Sequence, residues 1–474
     1  MTFEYPAFVS ILLKCCQYIF NDARKFLRYQ LEYFLHVLIK KLSIEIVNYE
    51  DQNTEIQELY LECIYLFVRQ PNFVAELMVN YDCDNSFSLV FDELVRCLAK
   101  LCISDGKTMN LLNILAFRIF VVITGNIKVS SESPSNELES SRRKKLVLFE
   151  GADRFNLSPK DGIKFLESNK IISENADSHE LAHFLKTTKG INKKQLGEYL
   201  SKPSNHEILF SFIQDLEFKG KRIDEALRLL LEAFRLPGEA QQISCIMEKF
   251  ADVFYATKPE GIASRDAVYV LAYSVILLNT DQHNRRVRNK MSADAFKRNN
   301  RGVNEGNDFP EEYLMAIYEA IKSNEIVMPE EQEGEMSYNY TWNELIKKSK
   351  RRGSLIPVGS HDVASLVFGT SWNSILQVFI YVLETAETDY LIEEAKEAIE
   401  KFACIASSVK SVEAMDTLIG KLFNFIGLPE SKIEILLHKE NRILHDSGAY
   451  LAMILLFKIF GTHGNCVEKG WKFV

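Results

Sequence analysis

Apolar residues recur at helical spacing across residues 6–126, with only short polar turns between the runs. Ile56, Leu59, Tyr60 and Cys63, for example, stand at i, i+3, i+4 and i+7, which places them on one helix face. The strict alternation that marks half-buried strands is not evident along the chain. The pattern predicts an all-α protein in which irregular, HEAT-like helix pairs build the first region.

Two polar stretches interrupt the helical pattern. The first contains SSESPSNELESSRRKK, whose Ser, Pro and charged residues bury too little apolar area to order themselves, and the second contains KKSKRRGS. We therefore predict linkers at 127–145 and 331–358 between three helical regions, 1–126, 146–330 and 359–474. Because the final residues, GWKFV, look like the start of a helix, we expect the chain to be a piece of a larger protein.

A sharp corner is predicted near the middle of the chain. An amphipathic helix at 224–234 is followed by FRLPGEAQQI, in which Pro237 and Gly238 break the helix and Glu239 enters the first turn of the next one. By itself, such a glutamate is expected only to complement the helix dipole, which is worth roughly 0.3 to 1 kcal/mol.

The second unusual segment is AVYVLAYSVILLNTDQHN at residues 267–284, an apolar helix that ends in six polar residues. The apolar half is explained by an ordinary core helix, and His283 in the polar half is explained by a surface histidine whose hydrogen bonds are satisfied. Neither this segment nor the Pro-Gly-Glu corner is decisive alone.

Together, the two segments closely resemble the two signature motifs of the Sec-seven (Sec7) catalytic domain of exchange factors for Arf GTPases. FNLSPKDGIKFL and GEYLSKP are also similar to the start of that domain. The resemblance implies a right-handed helical domain that promotes GDP release by inserting a glutamate finger, Glu239. It further implies that the GTPase binds to Asp266, Tyr273, Ile276, Leu277 and Asn284.

Resemblance extends beyond the catalytic motifs. GVNEGNDFP and EIVMPEEQ look most like the large Golgi class, called Gea or GBF, and NYDCD at residues 80–84 matches a motif of the helical region upstream of its catalytic domain. Residues 355–474 are similar to the first downstream helical region. The dimerisation region of large members is not recognisable, so the oligomeric state stays open.

Members sensitive to the inhibitor brefeldin A are similar to this chain at four positions, which implies pocket residues Tyr273, Ser274, Asp281 and Met291. At Leu277, however, most members have Met. The resemblance also implies a GDP-bound or nucleotide-free Arf-family GTPase as partner, no cofactor, and a cytoplasmic protein that is recruited peripherally to Golgi membranes.

Composition and charge exclude other classes. The net charge of -9 argues against nucleic-acid binding, since neutralising phosphates requires a surplus of Lys and Arg on one face. Nine scattered cysteines form no CxxC pair or zinc spacing, so we predict reduced thiols and no metal site. The apolar stretch 111–127 is interrupted by Asn113 and Arg118, which indicates a core helix, and the N-terminus lacks the features of a secretory signal.

Two rival functions remain as alternatives. A helical scaffold that binds a GTPase without exchange activity is normally marked by loss of the finger, but Glu239 is present. Nucleotide hydrolysis is suggested by GKT at 106–108, yet the P-loop needs Gly where the chain has Leu101. The basic runs 142–145 and 347–352 fit solvated linkers better than lipid contacts, which are worth about 1 kcal/mol per charge.

Overall fold

All regular secondary-structure elements in the described residues are helices, apart from one isolated bridge between Asn304 and Asn307. This confirms the all-α prediction. The computed structural model describes residues 5–45, 54–103, 109–129, 136–174, 176–284, 286–326, 342, 345–346, 348–350, 354–359, 363–426 and 447–473. The GKT residues 106–108 lie outside these ranges.

The chain divides into two compact units, Met1–Lys145 with Leu345–Val474 and, between them in sequence, Leu146–Glu344. The helices of the first unit are α1 Pro6–Ala23, α2 Arg28–Glu45, α3 Thr54–Val68, α4 Phe73–Leu77, α5 Val90–Cys102, α6 Leu111–Asn126, α17 Ala364–Thr385, α18 Asp389–Ser408, α19 Val412–Ile426 and α20 Ser447–His463. Helix α7, Asn136–Leu157, contains residues of both units, and those of the second are α8 Pro159–Ser168, α9 Ser178–Thr187, α10 Lys193–Leu200, α11 His206–Gln214, α12 Ile223–Ala233, α13 Ala240–Ala256, α14 Arg265–His283, α15 Ala293–Asn299 and α16 Glu311–Ser323.

The regions upstream and downstream of the second unit share one hydrophobic core. In α6, Phe117 is fully buried and meets Phe379 of α17 edge to face, with ring centroids 5.8 Å apart. The sequence predicted two separate regions here. They join because α5 and α6 leave apolar side chains that the strongly apolar α17 covers.

Helix α17 is the one helix in the described ranges that is long and apolar enough to cross a membrane, judged by length and composition alone. Its side chains Phe368, Ile375 and Phe379 lie in the core of the first unit with at most 1% of their surface exposed. Its apolar character is therefore explained by packing, as it is for the shorter α6, where burial of Phe117 and Phe120 confirms the predicted core helix.

The NYDCD motif at residues 80–84 is the centre of a buried polar network. Asn80 accepts a hydrogen bond from the Ile356 backbone N–H at 2.7 Å and donates to the Ile356 carbonyl at 2.9 Å. Asp82 accepts bonds from the N–H groups of Phe91 and Asp92 at the start of α5, at 2.9 and 3.1 Å. The motif therefore stabilises the first unit by satisfying backbone groups of several segments.

The linker prediction at 127–145 is wrong for residues 136–145, which begin α7. Lys145 is fully buried, and its Nζ donates to the carbonyls of Tyr81 at 2.5 Å and Ser88 at 3.0 Å. The reason is that partners distant in sequence satisfy a charge that local composition marks as solvated. In the predicted linker 331–358, the described residue Leu355 is likewise buried, and its N–H bonds to the Lys25 carbonyl at 2.7 Å.

Candidate functional site

Glu239 lies at an exposed corner between two helices. Helix α12 ends at Ala233, an extended segment containing the buried Pro237 follows, and Glu239 is the N-cap residue of α13. Its carboxylate makes no capping hydrogen bond. The simple role of a helix cap therefore does not account for this side chain, although the positive end of the helix dipole still favours a carboxylate there.

The corner is fixed by close backbone contact with α10. The Arg235 N–H donates to the Lys193 carbonyl at 3.1 Å. A Cβ atom built on Gly197 would come within 1.9 Å of the Arg235 carbonyl oxygen, so only glycine allows this approach. Phe234 is buried against Phe212, with ring centroids 5.8 Å apart. The sequence shows Gly197 only as part of GEYLSKP, and its role in supporting the Glu239 corner is visible only in the folded domain.

Four of the predicted GTPase-binding residues form one stripe on α14 and its C-cap. Since 18 residues make five helical turns, Asp266 and Asn284 face the same side, roughly 27 Å apart along the axis. Tyr273 and Leu277 fall between them within about 20° of that line, and the Leu277 side chain is 62% exposed. Ile276 lies to one side and is half-buried. Val270, 44% exposed, completes the apolar part of the stripe. It was not among the predicted binding residues, although its helical spacing from Tyr273 and Leu277 places it on the same face.

Helices α13 and α14 are joined beside this stripe. The hydroxyl groups of Ser244 and Tyr269 are 3.0 Å apart, and the rings of Tyr269 and Tyr273 pack edge to face at 5.1 Å. Burial and hydrogen bonding to Tyr269 raise the pKa of Tyr273 to about 12, so its phenol stays neutral at physiological pH. The helix that Glu239 begins is thereby held against the helix that carries the stripe.

Most polar residues at the end of α14 bind other parts of the same unit. Asn279 exchanges two hydrogen bonds with the Ile326 backbone, at 2.8 and 3.2 Å. A ring nitrogen of His283 lies 2.7 Å from the Ile321 carbonyl. These side chains are structural, which leaves Asn284 as the exposed residue at the end of the stripe.

Asn284 has one amide atom engaged and one available. Its Oδ1 accepts a hydrogen bond from the Arg286 N–H at 2.9 Å. Its Nδ2 makes no hydrogen bond to any residue that the structure describes. This arrangement fixes the side chain and leaves a donor for a partner.

The four inhibitor-pocket candidates differ in their contacts and are not all available to a ligand in the same way. Asp281 and Met291 are in direct contact, since the Met291 N–H donates to Asp281 Oδ2 at 2.5 Å. Ser274 is bound instead to the buried Asn300, whose Nδ2 donates to its hydroxyl at 2.9 Å. Tyr273 lies on the exposed stripe. Asp281 is thus already occupied by a backbone bond.

Comparison with known families identifies two segments of the chain. Residues 144–326 match the Sec7 domain, and residues 2–90 match the HUS domain of Mon2/Sec7/BIG1-like proteins. Residues 144–326 are therefore a Sec7 domain. The Sec7 match covers the Glu239 corner and all of α14, and the HUS match covers the NYDCD motif.

Relatives of this Sec7 chain are found among much longer proteins. An uncharacterized protein of Schizosaccharomyces pombe is 35% identical over 88% of this chain and 31% of its own length. The ARF guanine-nucleotide exchange factor GNOM of Arabidopsis thaliana is 31% identical over 98% of this chain and 34% of its own length. The Sec7 domain in a structure of ARF1-GDP bound to Sec7 domain complexed with brefeldin A is 41% identical, covering 41% of this chain and 99% of that one, with a TM-score of 0.38. The chain therefore spans about a third of the length of these curated relatives.

Proposed function

We propose that this Sec7 chain is a guanine-nucleotide exchange factor for Arf-family GTPases and that Glu239 is its finger. The observation that carries the proposal is the exposed Glu239 carboxylate, which makes no capping hydrogen bond. It lies at the start of α13, and α13 is bonded to α14, the helix that carries the exposed apolar stripe. The exchange activity named for GNOM supports the choice of substrate class. No bond is made or broken in such a reaction.

The chemistry follows from the way GTPases hold nucleotide. Picomolar affinity corresponds to roughly 16 kcal/mol, and much of it comes from Mg²⁺ and a lysine that clamp the phosphates. A carboxylate inserted there repels the β-phosphate, competes for the lysine and disfavours Mg²⁺. Glu239 thereby stabilises the nucleotide-free intermediate relative to the GDP complex.

The stripe on α14 supplies the binding half of the mechanism. Val270, Tyr273 and Leu277 offer apolar contact to the GTPase switch segments, which must be displaced before a finger reaches the nucleotide. Asp266, whose side chain is 88% exposed and lies 3.3 Å from the Arg265 guanidinium, offers a carboxylate that a GTPase lysine could share at one end. Asn284 offers an amide donor at the other.

A GDP-release assay with several purified Arf proteins tests the function. Accelerated release with at least one of them is expected. Binding to the nucleotide-free GTPase without any acceleration supports instead the alternative of a helical scaffold without exchange activity. Exposure of Glu239 favours exchange, because a scaffold has no need for an exposed carboxylate on a held backbone corner beside its binding face.

Replacing Asn284 by Ala is expected to weaken GTPase engagement by roughly 1 to 3 kcal/mol, because a buried backbone acceptor of the partner loses its donor. Asn284→Asp is the matched comparison, measured at high salt to screen its added negative charge: it keeps an oxygen that accepts from Arg286 and removes the amide donor. Equal losses in both variants, measured as association and dissociation rates, assign the effect to the donor. Normal binding by the Asp variant removes Asn284 from the site as a donor.

Brefeldin A is expected to inhibit this chain weakly but detectably. Tyr273, Ser274, Asp281 and Met291 match the sensitive pattern, whereas Leu277 replaces a flexible thioether in an apolar pocket. A swap that conserves volume usually costs under about 1.5 kcal/mol, so the pocket still admits the drug. Titration of nucleotide release against the drug should show stronger inhibition of Leu277→Met than of the unchanged chain. Equal inhibition of both, or none of either, contradicts this pocket.

We further propose that the protein is cytoplasmic and is recruited peripherally to Golgi membranes. The motifs GVNEGNDFP and EIVMPEEQ, which resemble the Gea or GBF class, support that location. Fractionation of cells that express the tagged protein tests it, with release from the membrane pellet by high salt or alkaline carbonate as the expected result.

A further inference from the structure

A dense group of cations follows α14 immediately. From Arg285 to Arg301 the sequence has seven Lys or Arg residues and one acidic residue, Asp294, although the whole chain carries a net charge of -9. In this group, the described residues 286–290 form what we call the basic loop, with the cations Arg286, Arg288 and Lys290.

The basic loop is held at both ends by the end of α14. At its start, the Arg286 N–H is bound by Asn284. Just after its end, the Met291 backbone is held by Asp281 and by Gln282, whose Nε2 donates to the Met291 carbonyl at 2.7 Å. Such bonds restrict the loop to one backbone path and fix where its side chains begin.

The cations of the loop have two different roles. Lys290 Nζ donates to the carbonyls of Asp281 at 2.8 Å and Asn284 at 2.7 Å, so it caps the negative end of α14. Arg286 and Arg288 are exposed and form no ion pair with any described residue. Two arginines thus present their charge to solvent next to Asn284.

We propose that Arg286 and Arg288 are a docking surface for an acidic patch on the GTPase. The inference rests on the proposed function, because it places the patch beside the switch segments that Asn284 contacts. Asp266, about five turns away, is partly neutralised by Arg265 at 3.3 Å, so the exchange face is weakly negative at one end and strongly positive at the other. A matching GTPase has the reverse polarity, which fixes its orientation and accelerates encounter.

A protein partner fits this loop better than a lipid surface. Peripheral membrane segments combine basic residues with exposed apolar ones that enter the bilayer. In the described residues between Leu277 and Trp342, no large hydrophobic side chain is strongly exposed. The backbone N–H of Arg286 is also bound directly to Asn284, a residue of the proposed GTPase-binding stripe.

The test is the double variant Arg286→Glu, Arg288→Glu, measured with a soluble GDP-bound Arf protein in the absence of lipid. We expect its association rate to fall about tenfold at low salt, with little change in dissociation. The difference should shrink at high salt, where charges are screened. Arg286→Lys, Arg288→Lys should keep most of the rate. Lys160→Glu, Lys164→Glu on α8 makes the same charge change at exposed positions and should leave the rate unchanged.

Separate readouts distinguish the docking surface from the exchange function. Unchanged association of the loop variant, or an equal loss in the α8 control, overturns the docking surface. Loss that occurs only when anionic vesicles are added assigns the loop to lipid and overturns it as well. An unchanged chain that binds through the loop but does not accelerate GDP release contradicts only the exchange function. Failure of the unchanged chain both to bind and to accelerate release contradicts both.

Discussion

Glu239→Lys is expected to reduce GDP release to nearly the uncatalysed rate while the protein stays folded and still binds its GTPase. The side chain is exposed and makes no capping bond, so its replacement removes nothing from the core. A lysine attracts the β-phosphate that a carboxylate repels, and groups that act on charge in a closed site commonly change rates by 10² to 10³. We therefore expect a loss of at least about a hundredfold, measured as release of fluorescent GDP.

Two matched variants separate the finger from general electrostatics. Glu260→Lys makes the same charge reversal at an exposed position after α13 and should retain activity. Glu239→Gln keeps the shape of the side chain and removes its charge, so an intermediate rate indicates that the charge acts on the phosphates. Exchange that survives in Glu239→Lys, or that is lost equally in Glu260→Lys, contradicts the assignment of the finger.

The helices could be predicted because burial follows local periodicity. The i, i+3, i+4, i+7 spacing in the helix predicted at 224–234 places Leu227, Leu230, Leu231 and Phe234 on one face; three of them are fully buried in the structure, and Leu231 is half-buried. The corner after them was also legible, since Pro237 cannot continue a helix. Local sequence therefore determined where Glu239 lies relative to its own two helices.

The roles of individual polar residues could not be predicted in the same way. At the end of α14, Asn279 and His283 look as exposed in sequence as Asn284, but they bind backbone groups 47 and 38 residues further along the chain. Spacing within a helix carries no information about such partners. The distinction between a structural amide and an available one appears only in the folded domain.

The predicted linker at 127–145 was wrong for a related reason. Composition correctly describes its second half as polar and charged, but the Lys145 Nζ is bound by carbonyls 64 and 57 residues earlier. A buried lysine with such distant partners has no signature in its neighbours. Removing this lysine is therefore expected to lower the stability of the first unit strongly.

Lys145→Met is expected to destabilise the first unit by about 3 to 5 kcal/mol, the usual cost of removing one partner from a buried charged group. The carbonyls of Tyr81 and Ser88 lose their donor, and the Asp82 carboxylate loses a compensating charge. Met retains most of the buried volume, so the loss is electrostatic rather than a cavity effect. Lys144→Met, at an exposed neighbouring position, should change stability by less than about 0.5 kcal/mol.

The destabilisation by Lys145→Met should also depend on pH. Burial raises the pKa of Asp82 to about 7, although backbone bonds from Phe91 and the charge of Lys145 oppose the shift. The folded pKa lies above the unfolded value of about 3.9. Between these two values the folded state therefore binds a proton on Asp82 that the unfolded state does not, and the contribution of Asp82 to folding stability improves as pH falls through 7. Without Lys145 the pKa rises further, so the loss should be largest above pH 7 and smaller near pH 6. Urea unfolding, with hydrogen exchange of residues 81–92, measures it, and a loss independent of pH contradicts the pairing of Lys145 with Asp82.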